Sequence, residues 1–124
     1  MSPQPEYEVL FYREKDRNSP VEEFLEGLPA KVQGKVYKWF QLLEEEGPRL
    51  PRPYADVLRD KIRELRLRFG ENHYRFLYFF WGKKIVITQG FVKKTDEVPE
   101  SEIDRAVRRR NDFMQGTEGG GFQS

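Results

Sequence analysis

The chain has no cysteine and a single histidine, His73. Without thiols, neither a disulfide nor a thiolate metal centre is available, and one imidazole is too few for the His and Cys sets that usually hold zinc. No apolar run approaches the roughly 20 residues needed to cross a bilayer. The opening segment MSPQPEYE lacks the charged-then-apolar pattern of an export signal. A soluble, cytoplasmic protein with no cofactor, no metal and no membrane contact is the expectation. No nucleophile elbow, P-loop, dinucleotide fingerprint or internal repeat is visible. Any site must therefore be built from cations, carboxylates and aromatic rings.

Those residue types are abundant. Charged residues make up 35% and aromatics 15% of the 124 residues, a length that suits one domain with a real core. The formal net charge of +1 hides an asymmetry. Residues 1–60 carry 9 basic against 12 acidic side chains, whereas residues 61–124 carry 13 against 9. The excess is concentrated between Arg59 and Lys94, where ten basic residues face three acidic ones. Such a split marks a candidate anion-binding face.

Alternation from Tyr7 to Tyr12 predicts a first strand. Ser19-Pro20-Val21-Glu22 is a helix start, with Ser19 as cap, Pro20 in the first helical position and Glu22 as capping-box acid. Gly27-Leu28-Pro29 ends that helix. A second follows to about Glu46, with Val32, Val36, Trp39, Phe40 and Leu43 at helical spacing. Glu44, Glu45 and Glu46 read as a solvated charge run. Residues 47–60, with three prolines, read as an irregular loop.

Three strands follow. On the first, Leu65, Leu67 and Phe69 face a core, while Glu64, Arg66 and Arg68 face the other way. His73 to Trp81 is nearly all apolar and reads as a central strand buried on both faces, interrupted by Arg75. Ile85-Val86-Ile87 begins the third, with a bulge or bend expected near Gln89-Gly90-Phe91. A last helix starts at Pro99, buries Ile103, Ala106, Val107 and Phe113, and ends in the basic run Arg108–Arg110. The fold class is α+β: a small, twisted, mostly antiparallel sheet with two N-terminal helices and one C-terminal helix. A single domain spans 1–114, and a disordered Gly-rich tail is expected over 115–124.

Glu64, Arg66 and Arg68 share one strand face, and a hairpin through Gly70 would bring Arg75 beside them. Such a group suits phosphate chemistry, because guanidinium grips phosphate oxygens bidentately and stabilises growing negative charge. A carboxylate or imidazole can accept a 2′-hydroxyl proton. Tyr74, Tyr78 or Phe91 could stack on a base. The same residues admit a structural role, in which Glu64 is the ion-pair partner of Arg66 or Arg75.

The segments SPVEEFLEGLP, IRELR, HYRFLYFF and GFVKKTDEVPESEIDRA, in that order over residues 7–114, resemble the phage-type branch of HigB-like toxins within the RelE superfamily of toxin–antitoxin systems. The resemblance implies a RelE-like fold with helices on one face of the sheet. It also implies a metal-independent mRNA interferase that works in the ribosomal A site, where the 2′-hydroxyl attacks the adjacent phosphate, and a cognate helix-turn-helix antitoxin. Carried onto this chain, Arg66, Arg75 and Lys93 are catalytic candidates. Glu64 is the candidate general base and His73 a second one. Arg63, Arg68, His73 and Lys94 are RNA-binding candidates. The chain departs from RelE itself in having Ile62 and Glu64 where RelE has strand lysines, and in lacking a C-terminal catalytic Tyr or His. The alternative is a catalytically degenerate module of the same fold that binds RNA or the transcription or translation machinery without cleaving.

Overall fold

The computed structural model describes residues 4–95 and 97–118. Strand β1 (Glu8–Phe11) is followed by helices α1 (Pro20–Glu26) and α2 (Ala30–Glu46), a 3₁₀ turn (Gly47–Arg49), strands β2 (Ala55–Val57), β3 (Arg63–Phe69), β4 (Asn72–Trp81) and β5 (Lys84–Lys93), and helix α3 (Glu100–Glu118). The order across the sheet is β1-β5-β4-β3-β2, antiparallel except for the β1–β5 pair.

The helix starts follow from local chemistry. Ser19 Oγ accepts from the Glu22 amide at 3.1 Å, which satisfies one of the orphan donors at the start of α1, and the Glu22 carboxylate pairs with Arg13. The α2 stripe Val32, Val36, Phe40 and Leu43 is buried. The helix stops at Gly47, whose φ of 55° and contact with the Tyr7 ring exclude a side chain: a Cβ there would sit 2.4 Å from a ring carbon. Glu44 does not belong to a solvated run. Its Oε2 accepts from the Val9 amide at 2.8 Å and its carbonyl accepts from the Tyr7 amide, so the end of α2 covers the outer margin of β1.

Two sequence expectations are corrected here. Residues 47–60 hold an edge strand, because Ala55, Asp56 and Val57 pair with Leu65, Glu64 and Arg63. Helices also lie on both faces of the sheet. Helices α1 and α2 pack on Leu65, Leu67, Tyr74, Phe76 and Tyr78, whereas α3 packs on Leu77, Phe79 and Val86. The reason lies in β4, which is apolar on both faces and needs a cover on each.

Smaller differences follow. The β4–β5 register slips one step earlier than expected: Tyr78 faces Ile87 but Leu77 faces Gln89, leaving Thr88 as the extra residue, its hydroxyl donating to the Leu77 carbonyl at 3.2 Å. Helix α3 continues through residues 115–118, into the segment expected as a tail; 119–124 lie outside the described residues. The Arg108–Arg110 run is therefore not a helix end. Arg109 is held against Gln89 and Glu14, and Arg110 donates to the Asp60 carbonyl. Among the described residues no helix is long and apolar enough to cross a membrane.

Candidate nucleic-acid interface

The register of β3, β4 and β5 lays the candidate residues out in three rows on the α3 side of the sheet. Glu64 stands between Asp56 on β2 and Leu77 on β4. Arg66 faces Arg75, which faces Phe91. Arg68 faces His73, which faces Lys93. Helix α3 covers the part of this face around Leu77, Phe79 and Val86, and the rows of Arg66 and Arg68 run past it toward the Gly70 turn.

Two arginines side by side in a sheet repel, so the pair needs a counter-charge. Glu64, only 3% exposed, supplies it. Its Oε2 accepts from Arg66 at 2.9 Å (Nη2) and 3.2 Å (Nε). Its Oε1 lies 3.1 Å from Arg75 Nε, but that N–H does not point along the contact, and both atoms are left without a hydrogen bond. The contact is an ion pair, not a formed hydrogen bond. Arg75 is 6% exposed and donates from Nη1 to the Tyr74 carbonyl at 3.0 Å. Burial pushes the Arg75 pKa below its usual value, with Glu64 opposing the shift and Arg66 adding to it. Arginine remains charged all the same.

Arg66 is also fixed from β2. Its Nη2 lies 3.2 Å from Asp56 Oδ2, and that same oxygen is 2.9 Å from Arg52 Nη2. Arg52 holds the Asp56 carboxyl below its ordinary pKa. The main chain of Arg66 is pinned as well, its amide donating to the Tyr54 carbonyl at 2.7 Å and its carbonyl accepting from Trp39 Nε1 at 3.1 Å.

Arg66 separates two depressions. One, about 420 Å³, has four carboxylates in its wall, those of Glu64, Asp56, Glu97 and Glu100, together with Arg59, Arg66 and Lys93. The other, about 470 Å³, is lined by Arg66, Arg75, Arg68, His73, Lys35 and the rings of Trp39 and Tyr54, with no carboxylate. The second is the more favourable place for a polyanion.

Of the residues singled out in the sequence, Glu64, Arg66, Arg75, Arg68 and His73 come together, and Lys93 lies across the sheet beside His73. Lys94 is exposed just beyond β5. Arg63 is elsewhere: it faces Tyr78 on the α1–α2 side, with its guanidinium carbon 5.2 Å from the Phe80 ring centre. Tyr74 and Tyr78 are core residues on that side and cannot stack on a base, whereas Phe91 is half-buried opposite Arg75. Sequence reasoning did not find Lys35, Trp39, Tyr54 or Asp56. Lys35 and Trp39 read as ordinary helix positions, and Asp56 lay in an apparent loop. Among the described residues no group of three or more His, Cys, Asp or Glu is placed to hold a metal ion.

Residues 23–111 match the family described as Phage derived protein Gp49-like (DUF891). The chain is also 36% identical over 53 residues to proteins named probable endoribonuclease HigB1 from Mycobacterium tuberculosis, strains CDC 1551 / Oshkosh and ATCC 25618 / H37Rv. That overlap covers 43% of this chain and 42% of those proteins, so the chain spans less than half the length of the curated relatives it matches. The family match runs from α1 into α3 and takes in every row of the basic face, and the chain belongs to the phage-derived Gp49-like family.

Proposed function

We propose that the chain is the toxin of a type II toxin–antitoxin pair, an endoribonuclease that cuts mRNA on the ribosome. The observation that carries this reading is the Arg66–Arg75 pair, braced by one buried carboxylate and opening onto an acid-free basic depression. The name of the Mycobacterium tuberculosis relatives supports cleavage of RNA. Dependence on the ribosomal A site and a helix-turn-helix antitoxin come from the family resemblance alone, and a cytoplasmic location from the sequence expectation alone.

In the proposed reaction the 2′-oxygen bonds to the adjacent phosphorus and the bond to the 5′-oxygen breaks, leaving a 2′,3′-cyclic phosphate. The 2′-hydroxyl proton goes to a base and the departing 5′-oxygen takes one up. Arg66 and Arg75 hold the phosphate and stabilise the charge that grows on its oxygens. The reaction calls for no metal. Burial of Glu64 against both arginines favours orienting them over proton abstraction, which revises the role its sequence position suggested. His73, exposed in the next row between Arg68 and Lys93, is better situated to accept the proton. Lys93 serves the leaving oxygen, and Arg68 and Lys94 serve the flanking backbone.

The test is primer extension on a defined mRNA with and without 70S ribosomes. Wild type should cut only with ribosomes. Arg66→Ala, which leaves Glu64 paired to Arg75, should lose at least about 100-fold in cutting and lose growth arrest, with an unchanged circular dichroism spectrum. Full activity in that folded variant rejects the assignment. The buried state of Glu64 also favours a second reading, a binding module that has lost the chemistry. Tight ribosome or RNA binding by wild type without any cut would select it.

A further inference from the structure

The basic depression extends beyond what a two-arginine clamp requires. Away from Arg75 it is walled by Tyr54 and Trp39, whose rings meet edge to face with centres 6.3 Å apart. Tyr54 is 43% exposed, yet its loop is held to β3 without the ring, through the Tyr54 carbonyl on the Arg66 amide, and is closed on itself by the Tyr54 amide on the Pro51 carbonyl. The main-chain bonds of the loop thus do not depend on the ring, which rests on the Trp39 edge with its outer part open to solvent. Trp39 behind it is fixed by its bond to the Arg66 carbonyl and by the Lys35 ammonium 5.4 Å from its ring centre. Lys35 in turn donates to the Arg68 carbonyl.

A single exposed ring means little by itself. Here it is braced from behind and flanked by Arg66, Arg68 and Lys35, with no acid in the wall. An apolar partner would have to bury those cations. An acidic peptide would use the cations, but its carboxylate side chains bring no aromatic face to the ring. A nucleotide uses both, its base on the ring and its phosphate on the cations.

We propose that Tyr54, braced by Trp39, is the stacking platform of a nucleotide subsite for single-stranded RNA, with Arg68 and Lys35 holding that nucleotide's phosphate. The proposal rests on reading the Arg66–Arg75 pair as an RNA site, and makes the β2–β3 margin the route by which the strand approaches it.

The test uses the full chain and a labelled 2′-O-methyl trinucleotide, which cannot be cut, followed by fluorescence anisotropy. Tyr54→Ala should weaken binding about 5- to 150-fold, the range for removing one stacked base. Tyr54→Phe should bind like wild type, and a probe of the same backbone without bases should bind wild type and Tyr54→Ala equally weakly. Equal trinucleotide binding by Tyr54→Ala and wild type overturns the subsite. Competition by a polyglutamate peptide that is itself weakened by Tyr54→Ala overturns it in favour of a peptide groove. Ribosome-dependent cutting, measured separately, keeps the two ideas apart. If wild type cuts mRNA but does not bind the trinucleotide, the subsite fails and the clamp stands. If it does neither, both fail.

Discussion

Glu64 shows how far a single side chain can be interpreted before its neighbours are known. Its strand phase put it on the basic face, and that holds. Its proposed role changed because the guanidinium groups of Arg66 and Arg75, on neighbouring strands, each approach one of its two carboxylate oxygens. Removing one member of a buried ion pair leaves the other charge uncompensated, which typically costs about 3–5 kcal/mol. Glu64→Ala should destabilise by about that amount in urea denaturation, and adding Arg75→Met should recover most of it. A loss below about 1 kcal/mol in the single variant would mean that Arg75 is already solvated. The residues missed altogether, Lys35, Trp39 and Tyr54, carry no local mark. Their meaning comes from which strand they lie against.

The helices and the β3–β4 hairpin were legible because their cores repeat at three and four or at two, and the Ser19 and Gly47 boundaries have their own chemistry. Strand β2 was hidden among prolines, since three residues are too few for a period and pair only because β3 supplies the partner. The placement of α3 opposite the other helices follows from β4, whose two apolar faces each need a cover. Strand β5 carries a constraint that composition does not express. A Cβ on Gly90 would sit 2.5 Å from the Phe76 ring and 2.9 Å from that of Phe24. Phe76 is fully buried and has no room to retreat. Gly90→Ala should therefore cost about 1–3 kcal/mol by thermal or urea denaturation. An unchanged midpoint would show that the two rings repack freely.

Across the whole domain, α3 is bound to the sheet by polar contacts as well as by apolar ones. Tyr12 donates to Asp112 Oδ2 at 2.6 Å, and Gln89 donates to the Glu102 carbonyl at 2.8 Å. Burial, followed by the bond to Asp112, pushes the Tyr12 pKa up to about 12 from its ordinary 10.0. Burial likewise pushes Tyr78 up to about 12, opposed by the charge of Arg63. In each case the folded state keeps the proton after the unfolded chain has lost it. The stabilisation is complete below pH 10 and is lost as pH rises from about 10 to about 12. Urea midpoints should fall through that window, and Tyr12→Phe should flatten the fall. An identical slope in the variant would remove Tyr12 from the account.

The chain of residues was enough to define the helices, the central strands, the phase that separates Leu65 and Leu67 from Glu64 and Arg66, and the family. These rest on periodicity and on ordered motifs, both written along one dimension. Only the tertiary structure decided that Glu64 is a buried ion-pair partner of both Arg66 and Arg75, that Arg63 faces away, and that Trp39 and Tyr54 border the arginines. Those facts depend on which strands lie side by side and on which face a helix settles. Burial of both faces of β4 sets that arrangement, and it brings together residues that lie far apart along the chain.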